Sequence, residues 1–169
     1  RSEAARLLSE AKFPAILSGA GVVLSGAIPD LVTLAERLDA PVASNYQHND
    51  SFPGSHPLAV GPLGYNGSKA AMELIRDADV VLALGTRLNP FSTLPGYGID
   101  YWPRDAKIIQ VDINPDRIGL TKKVTVGIQG DAAKVARAIL AQLSPEAGDE
   151  GRQARRDRIA RTRSRWAQE

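Results

Sequence analysis

Six residues that could contact a nucleotide follow apolar segments typical of buried strands. The candidates are Gly19 and Gly21 after PAILS, Gly85 and Arg87 after VVLAL, Asp112 at the end of KIIQVD, and Asp131 after the last apolar segment. In a parallel α/β sheet such positions lie together at the edge where ligands bind. Glycine N–H groups and an arginine can hold phosphate, and a carboxylate can hold ribose hydroxyls. These residue types therefore suggest a nucleotide pocket at one edge of a sheet.

Each candidate also has a purely structural interpretation. Gly85 can simply turn the chain, and Arg87 can be a solvated surface residue. Asp112 can fix the turn that precedes Ile113-Asn114-Pro115. For Asp131 we favour the structural interpretation, in which the carboxylate caps the helix that follows.

The glycines after the first strand do not complete a dinucleotide-binding fingerprint. Leu24 stands where the third glycine of the G-x-G-x-x-G pattern belongs. The second strand ends in Ser44-Asn45 and not in an acidic residue that could bind ribose. We therefore do not expect an ordinary NAD site.

The sequence predicts no catalytic residue and no metal ligand in this chain. It contains no cysteine, which excludes disulfides and zinc sites built on thiolates. The two histidines, His48 and His56, stand at no informative spacing from a carboxylate or a nucleophile. We expect His56, between Ser55 and Pro57, to pack within a loop.

Alternating strands and helices would position the candidate residues. The run Val80–Leu84 is apolar without alternation, as expected of a strand buried on both faces of a parallel sheet. Helices are predicted over residues 2–11, 28–38, 68–77 and 132–143, and strands over 14–17, 40–44, 107–112 and 124–128, with at most a short strand at 58–60. The pattern predicts an α/β fold, a doubly wound, Rossmann-like and mostly parallel sheet of five to six strands with helices on both faces.

The composition changes after Leu143. The segment SPEAGDEG over residues 144–151 is typical of a linker, and seven arginines lie between residues 152 and 165. We expect residues 1–143 to form a central domain. Residues 144–169 are then a linker and an arginine-rich helical tail, mobile or loosely docked, that leads to a following domain. Because the chain opens at Arg1 inside a predicted helix, we also expect it to be part of a longer protein.

Two classes of partner are not expected. No apolar run approaches the roughly 20 residues of a membrane helix. The arginines of the tail could contact several phosphates of a nucleic acid, but they alternate with Asp157, alanine and isoleucine. We therefore favour a solvated helix face over a nucleic-acid-binding arm.

Three long motifs carry a family resemblance. GPLGYNGSKAAMELI, RLNPFSTLPGYGIDYWP and VDINPDRIGLTKKVTVGI resemble the central domain of thiamine-diphosphate-dependent enzymes of the acetolactate synthase and pyruvate oxidase group. Within that group they are most similar to the sulfoacetaldehyde acetyltransferases. The resemblance covers about residues 10 to 143. It implies a cytoplasmic enzyme that converts sulfoacetaldehyde and phosphate to acetyl phosphate and sulfite.

The resemblance also implies how the work is divided between domains. Thiamine diphosphate and Mg²⁺ would be bound by flanking pyrimidine- and diphosphate-binding domains, and the whole enzyme would be a homo-oligomer. Central domains of this group carry FAD, carry ADP, or act as scaffolds. The positions that touch such nucleotides correspond to Gly19, Gly21, Gly85, Arg87 and Asp112. Because acetyl transfer needs no flavin, we expect an empty or vestigial pocket and no catalysis by this chain alone.

Two alternative functions stay open at this point. The chain could be the central domain of a related enzyme such as acetolactate synthase, with FAD or ADP bound. It could also be a sirtuin-like NAD-binding domain, because Ser18–Gly21 and Ser25–Asp30 are similar to the GAG…SGIPD segment of that family. Against the sirtuin alternative, Leu31-Val32 replaces the expected Phe-Arg pair, and the catalytic His-Gly pair and zinc-binding cysteines are absent.

Overall fold

The computed structural model describes residues 2–44, 52–63, 68–86, 102–103, 105–119 and 124–167. Within these residues, six parallel strands form one sheet in the order β3-β2-β1-β4-β5-β6. The strands are β1 Pro14–Ser18, β2 Val42–Ser44, β3 Ala59–Pro62, β4 Val80–Leu84, β5 Lys107–Asp112 and β6 Val126–Gln129. The predicted α/β class and parallel sheet are confirmed.

Strand β4 lies at the centre of the sheet, as its apolar run predicted. It pairs with β1 from Val80 opposite Pro14 to Leu84 opposite Ser18, and with β5 on its other side. All five of its residues are buried. Because successive side chains of a strand point to opposite faces, burial of all five shows that both faces of the sheet are covered.

The strand order reverses between β1 and β4. Chain connections leave these two strands in opposite directions along the sheet, which opens a crevice at their carboxyl ends. Ligands of open α/β sheets bind in such crevices. The fold therefore places the residues after β1, β4, β5 and β6 around one potential site.

Five of the six helices of the described residues begin and end close to their predicted bounds, whereas the short helix Ala20–Leu24 lies where the sequence predicted a loop. The six helices are α1 Glu3–Glu10, α2 Ala20–Leu24, α3 Ile28–Leu38, α4 Lys69–Arg76, α5 Ala132–Gln142 and α6 Arg152–Ala167. Ser2, Ser68 and Asp131 each cap a helix by accepting a backbone N–H three residues on. Helix α5 contacts both α1 and α3, and α4 packs along α6. No helix in the described part of the chain is long and apolar enough to cross a membrane.

The arginine-rich tail is firmly docked, which corrects the prediction of a mobile or loosely held helix. Ile159 of α6 is 2% exposed and belongs to the hydrophobic core. Arg155 is 3% exposed, and its guanidinium donates five hydrogen bonds to backbone carbonyls. The acceptors are the carbonyl oxygens of Lys12, Leu38, Asp39, Gly148 and Glu150. The burial lowers the pKa of Arg155, and the nearby Asp39 carboxylate opposes that effect.

Three carboxylates hold the rest of α6 in place. Asp39 pairs with Arg152 and Arg156, Asp77 with Arg158, and Glu73 with Arg165. Trp166 also donates its indole N–H to Glu73 over 2.9 Å. The segment before α6 is fixed as well, since Arg37 donates to the carbonyls of Ser144, Pro145 and Ala147. The segment has the composition of a linker, yet it packs against the domain. The division of the longer protein at residue 143 stays a prediction.

Candidate functional site at the carboxyl edge

A cavity of about 260 Å³ lies in the crevice at the carboxyl edge of the sheet. The residues after four strands form it, as the sequence predicted for Gly21, Gly85, Asp112 and Asp131. Its lining is Ala20, Gly21, Leu24, Ser25, Gly85, Asp112, Ile113, Arg117, Gly130, Asp131 and Ala132. The cavity therefore combines two carboxylates, one guanidinium and apolar side chains.

Gly21 and Gly85 bring the chains after β1 and β4 into direct backbone contact. A Cβ on Gly21 would lie 2.7 Å from the Gly85 Cα, and Gly85 has a φ of +67°, which side-chain-bearing residues rarely adopt. The Gly21 N–H donates to the Gly85 carbonyl over 2.9 Å. Both positions require glycine because two backbones meet there, and this requirement exists without any ligand.

Gly19 lies at the carboxyl end of β1 and is also engaged within the fold. Its N–H donates to the Leu84 carbonyl over 3.1 Å, and its carbonyl accepts the Val22 N–H. The N–H groups of Gly19 and Gly21 are therefore committed to backbone carbonyls in this structure. A phosphate would have to displace those bonds in order to use them.

Asp112 ends β5 and is 6% exposed. Its Oδ1 accepts the Asn114 N–H over 2.8 Å, which forms the turn that its structural interpretation anticipated. Its backbone carbonyl accepts the Gly130 N–H and ties the end of β5 to the end of β6. The same side chain lines the cavity, so fixing the turn and facing a ligand are compatible roles.

Asp131 caps α5, as the sequence analysis favoured. Its Oδ2 accepts the Lys134 N–H over 3.0 Å. A capping carboxylate retains further lone pairs, and Asp131 also lines the cavity. Its structural role is thus established, and a ligand contact would be additional.

Arg117 is a cavity residue that the sequence analysis did not identify. It ends a short 3-10 helix, Pro115–Arg117, whose entry is capped by Asn114. The amide of the buried Gln110 fixes the turn, because it donates to the Arg117 carbonyl and accepts the Gly119 N–H. The Asn-Pro-Asp-Arg stretch after a strand was the available signal, since such a turn brings its last residue back towards the strand end.

Leu24 and Ile113 give the cavity an exposed apolar rim. They are 86% and 71% exposed, although large aliphatic side chains are usually buried. Leu24 ends α2 and Ile113 follows β5, and both line the cavity. A flat ring placed between them would remove apolar surface from water.

Two residues whose functional roles the sequence analysis considered lie outside the described part of the chain. They are Arg87, which was predicted to contact phosphate, and His48, for which no catalytic or metal-binding role was predicted. His56 is described and packs as predicted, because its Nδ1 accepts the Leu58 N–H and its ring contacts Phe52 edge to face. Among the described residues no group of three histidine or acidic side chains could hold a metal ion.

Comparisons with known proteins place the chain among thiamine-dependent enzymes. The sequence model of the family described as thiamine pyrophosphate enzyme, central domain, matches residues 1–139. A solved structure of a thiamin diphosphate-dependent enzyme from Mycobacterium smegmatis has a TM-score of 0.68 and 25% identity, covering 84% of this chain and 27% of that one.

Two curated relatives differ clearly in similarity. A sulfoacetaldehyde acetyltransferase of Roseovarius nubinhibens is 75% identical over 167 residues, which are 99% of this chain and 28% of the relative. An acetolactate synthase large subunit of Corynebacterium glutamicum is 36% identical over 138 residues, 82% of this chain and 22% of the relative. The chain thus spans 28% of the length of the acetyltransferase that it matches.

Proposed function

Because the chain belongs to the central-domain family of thiamine pyrophosphate enzymes, we propose that it is the central domain of a sulfoacetaldehyde acetyltransferase. The whole enzyme would convert sulfoacetaldehyde and phosphate to acetyl phosphate and sulfite. The observation that carries the proposal is the 75% identity across 99% of the chain, against 36% for an acetolactate synthase. The sirtuin alternative is not carried forward, because the family match includes the glycine segment on which it rested.

Thiamine diphosphate and Mg²⁺ belong to the flanking domains in this proposal. The described residues offer no cluster of carboxylates or histidines for a metal ion, so these residues do not fit a Mg²⁺ site. When bound, thiamine diphosphate would supply the carbanion chemistry by which the carbon–sulfur bond of sulfoacetaldehyde is cleaved and sulfite leaves. The role of this chain would be to carry and space the two cofactor-binding domains.

The test uses the natural full-length protein with thiamine diphosphate and Mg²⁺. Sulfoacetaldehyde with phosphate should yield acetyl phosphate and sulfite in equal amounts, and pyruvate alone should yield little acetolactate. Acetolactate formation faster than acetyl phosphate formation would instead identify an acetolactate synthase. The isolated chain should catalyse neither reaction, and acetyl phosphate formed by it would overturn the assignment of catalysis to other domains.

We further propose that the carboxyl-edge cavity is a vestigial nucleotide pocket. Gly19, Gly21, Gly85, Arg87 and Asp112 would be its contact residues, with Arg117 as a second cation. A bidentate arginine–phosphate contact contributes about 1.5 to 3 kcal/mol, but the N–H groups of Gly19 and Gly21 already donate to carbonyls. We therefore expect weak binding, because a phosphate would contact arginine but would find no free N–H group at Gly19 or Gly21. ADP and FAD should bind with a dissociation constant no tighter than about 0.1 mM.

Calorimetric titration with ADP and FAD tests this pocket. Arg87→Ala and Arg117→Ala should each be titrated beside the parent chain, and a contact residue should weaken binding about tenfold. Arg161→Ala, on the exposed face of α6, is the matched control. Micromolar affinity, or a purified protein that is yellow with flavin, would contradict the vestigial pocket. An Arg87→Ala chain that binds as the parent does would remove Arg87 from it.

A further inference from the structure

A second cavity, of about 380 Å³, lies between α3, α6 and the turn that precedes β3. It is distinct from the carboxyl-edge cavity, with which it shares no lining residue. The side chains that matter are Glu36, Asp39, His56, Leu58, Arg156 and Ile159. Its volume is within the range of sites that hold small molecules.

The base of this cavity is apolar and rigid. Leu58 and Ile159 are 6% and 2% exposed, and both belong to the main hydrophobic core. Ile159 comes from α6 and Leu58 from the turn before β3, so the docked tail creates the surface. An aliphatic group of a ligand would contact these two side chains and lose its exposure to water.

Arg156 presents the open cationic group of the cavity. Its Nε pairs with Asp39 over 3.2 Å, and Asp39 is further held by Arg152. Within the described part of the chain, no hydrogen bond engages the two terminal nitrogens of Arg156. Those nitrogens form the planar fork that matches a carboxylate.

Glu36 presents the open anionic group. One of its carboxylate oxygens contacts the His56 Nε2 over 2.9 Å. Because the His56 Nδ1 accepts the Leu58 N–H, the neutral ring carries its proton on Nε2 and donates it to Glu36. Among the described residues nothing binds the second oxygen of Glu36, and a neutral imidazole does not cancel the negative charge.

These groups suit a ligand that carries both charges. A simple anion on Arg156 would face the Glu36 and Asp39 carboxylates, and a simple cation on Glu36 would face Arg156. We propose that the cavity binds a small zwitterion of the free amino-acid class. Its carboxylate is held by Arg156, its ammonium group by Glu36, and its aliphatic side chain by Leu58 and Ile159. This proposal does not depend on the function proposed for the longer enzyme.

The test is titration of the 169-residue chain with L-valine, followed by calorimetry and ligand-observed NMR. A ligand of this size in a partly open site should bind with a dissociation constant of about 1 mM. Isovalerate lacks the ammonium group and isobutylamine lacks the carboxylate, so each should bind about tenfold more weakly or worse. Failure of valine to saturate the chain, or equal binding of isovalerate, would overturn the proposal.

Variants locate the binding site. Arg156→Gln and Glu36→Gln should each weaken valine binding about tenfold, whereas Arg161→Gln, exposed on the same helix, should leave it unchanged. Valine binding that survives both cavity substitutions would overturn the assignment to this cavity. If circular dichroism shows that Arg156→Gln does not fold, Glu36→Gln and the two valine analogues still decide the question.

Discussion

The carboxyl edge of the sheet and the docked helix α6 satisfy their backbone polar groups in opposite ways. At the carboxyl edge, backbone bonds to backbone, as in the Gly21 N–H on the Gly85 carbonyl. Along α6, arginine side chains bond to backbone, as in the five carbonyls that Arg155 contacts. The first arrangement leaves side chains free to face a cavity, and the second consumes a charged side chain as part of the core.

The difference shows that residue type alone does not separate an arginine that faces a cavity from one that is part of the core. Arg155 looks like one charge in a solvated run, yet it joins the start of β1, the end of α3 and the turn before α6. Arg117, in a short turn, is exposed and faces the cavity. An arginine that meets several carbonyl oxygens replaces backbone pairing, because its five N–H groups can satisfy them together.

Removal of the tail should give the largest effect. A chain that ends at Leu143 loses Ile159 from the core and leaves the carbonyls of Lys12, Leu38 and Asp39 without the Arg155 donor. We expect a loss of about 5 kcal/mol or more in the free energy of unfolding, or a chain that does not fold. Urea denaturation followed by circular dichroism measures it.

Truncation at the very end of α6 is the matched control. Removal of only residues 168 and 169 should leave the unfolding midpoint unchanged, since Ile159 and Arg155 remain. If the chain ending at Leu143 were as stable as the parent, the close docking of α6 would be wrong.

Arg155→Met should have the next largest effect. The substitution keeps an unbranched side chain in the buried site but removes all five hydrogen bonds to carbonyls. Because buried carbonyls are then unsatisfied, we expect a loss of about 3 to 5 kcal/mol. Arg161→Met, at an exposed position of the same helix, should change the free energy of unfolding by less than about 0.5 kcal/mol. Equal effects of the two substitutions would show that Arg155 is solvated and that the tail differs little from a linker.

The sheet and its crevice could be predicted from sequence because local patterns determine them. Val80–Leu84 has no polar residue, so only a strand covered on both faces suits it, and Ser68 and Asp131 are recognisable as helix caps. Convergence of Gly21, Gly85, Asp112 and Asp131 then follows from parallel strands. For Asp131 the sequence also indicated the role that the structure gives it.

The roles of the glycines and of the tail depend on contacts between distant parts of the chain. Gly21 and Gly85 are 64 positions apart, so no local pattern shows that their backbones touch. The contact engages the Gly21 N–H group, which the sequence analysis expected to bind phosphate, with the Gly85 carbonyl. Arg155 meets Lys12, 143 positions away in the chain. Composition reports how often charges occur, and it contains no information about which carbonyl oxygens lack a donor.

Gly21→Ala tests the backbone contact between Gly21 and Gly85 at the carboxyl edge. The new Cβ would lie 2.7 Å from the Gly85 Cα, and the Gly21 and Gly85 backbones are hydrogen bonded to each other, so these two chain segments must separate. We expect a loss of about 2 to 3 kcal/mol, measured by urea denaturation. Gly54→Ala is the control, because nothing lies within 4 Å of a Cβ there and Gly54 has no positive φ. A fully stable Gly21→Ala chain would mean that the two backbones do not touch, and a cradle for phosphate would again be available.

The smallest effect concerns the ion pairs at the outer end of α6 and depends on pH. Burial would raise the pKa of Glu73 and of Asp77, but hydrogen bonds from Arg165 and Trp166 to Glu73, and from Arg158 and Arg76 to Asp77, hold both pKa values below their usual range. A folded-state pKa below the unfolded one stabilises the fold above the ordinary pKa of about 4, and this stability is lost as the pH falls through the folded-state pKa.

The double variant Glu73→Gln/Asp77→Asn therefore tests whether α6 is held chiefly by Arg155 or by its outer ion pairs. Because both carboxylates are partly solvated, each pair should contribute less than about 1 kcal/mol, and the difference from the parent chain should shrink as the pH falls from about 5 through the lowered folded-state pKa values. Asp116→Asn, which removes an exposed carboxylate from the 3-10 turn, is the control and should change the free energy of unfolding at neutral pH by less than about 0.5 kcal/mol. If the double variant loses several kilocalories per mole of unfolding free energy at neutral pH, the ion pairs and not the buried guanidinium are the main attachment of the helix. If the loss is small and disappears at high salt, Arg155 is the main attachment.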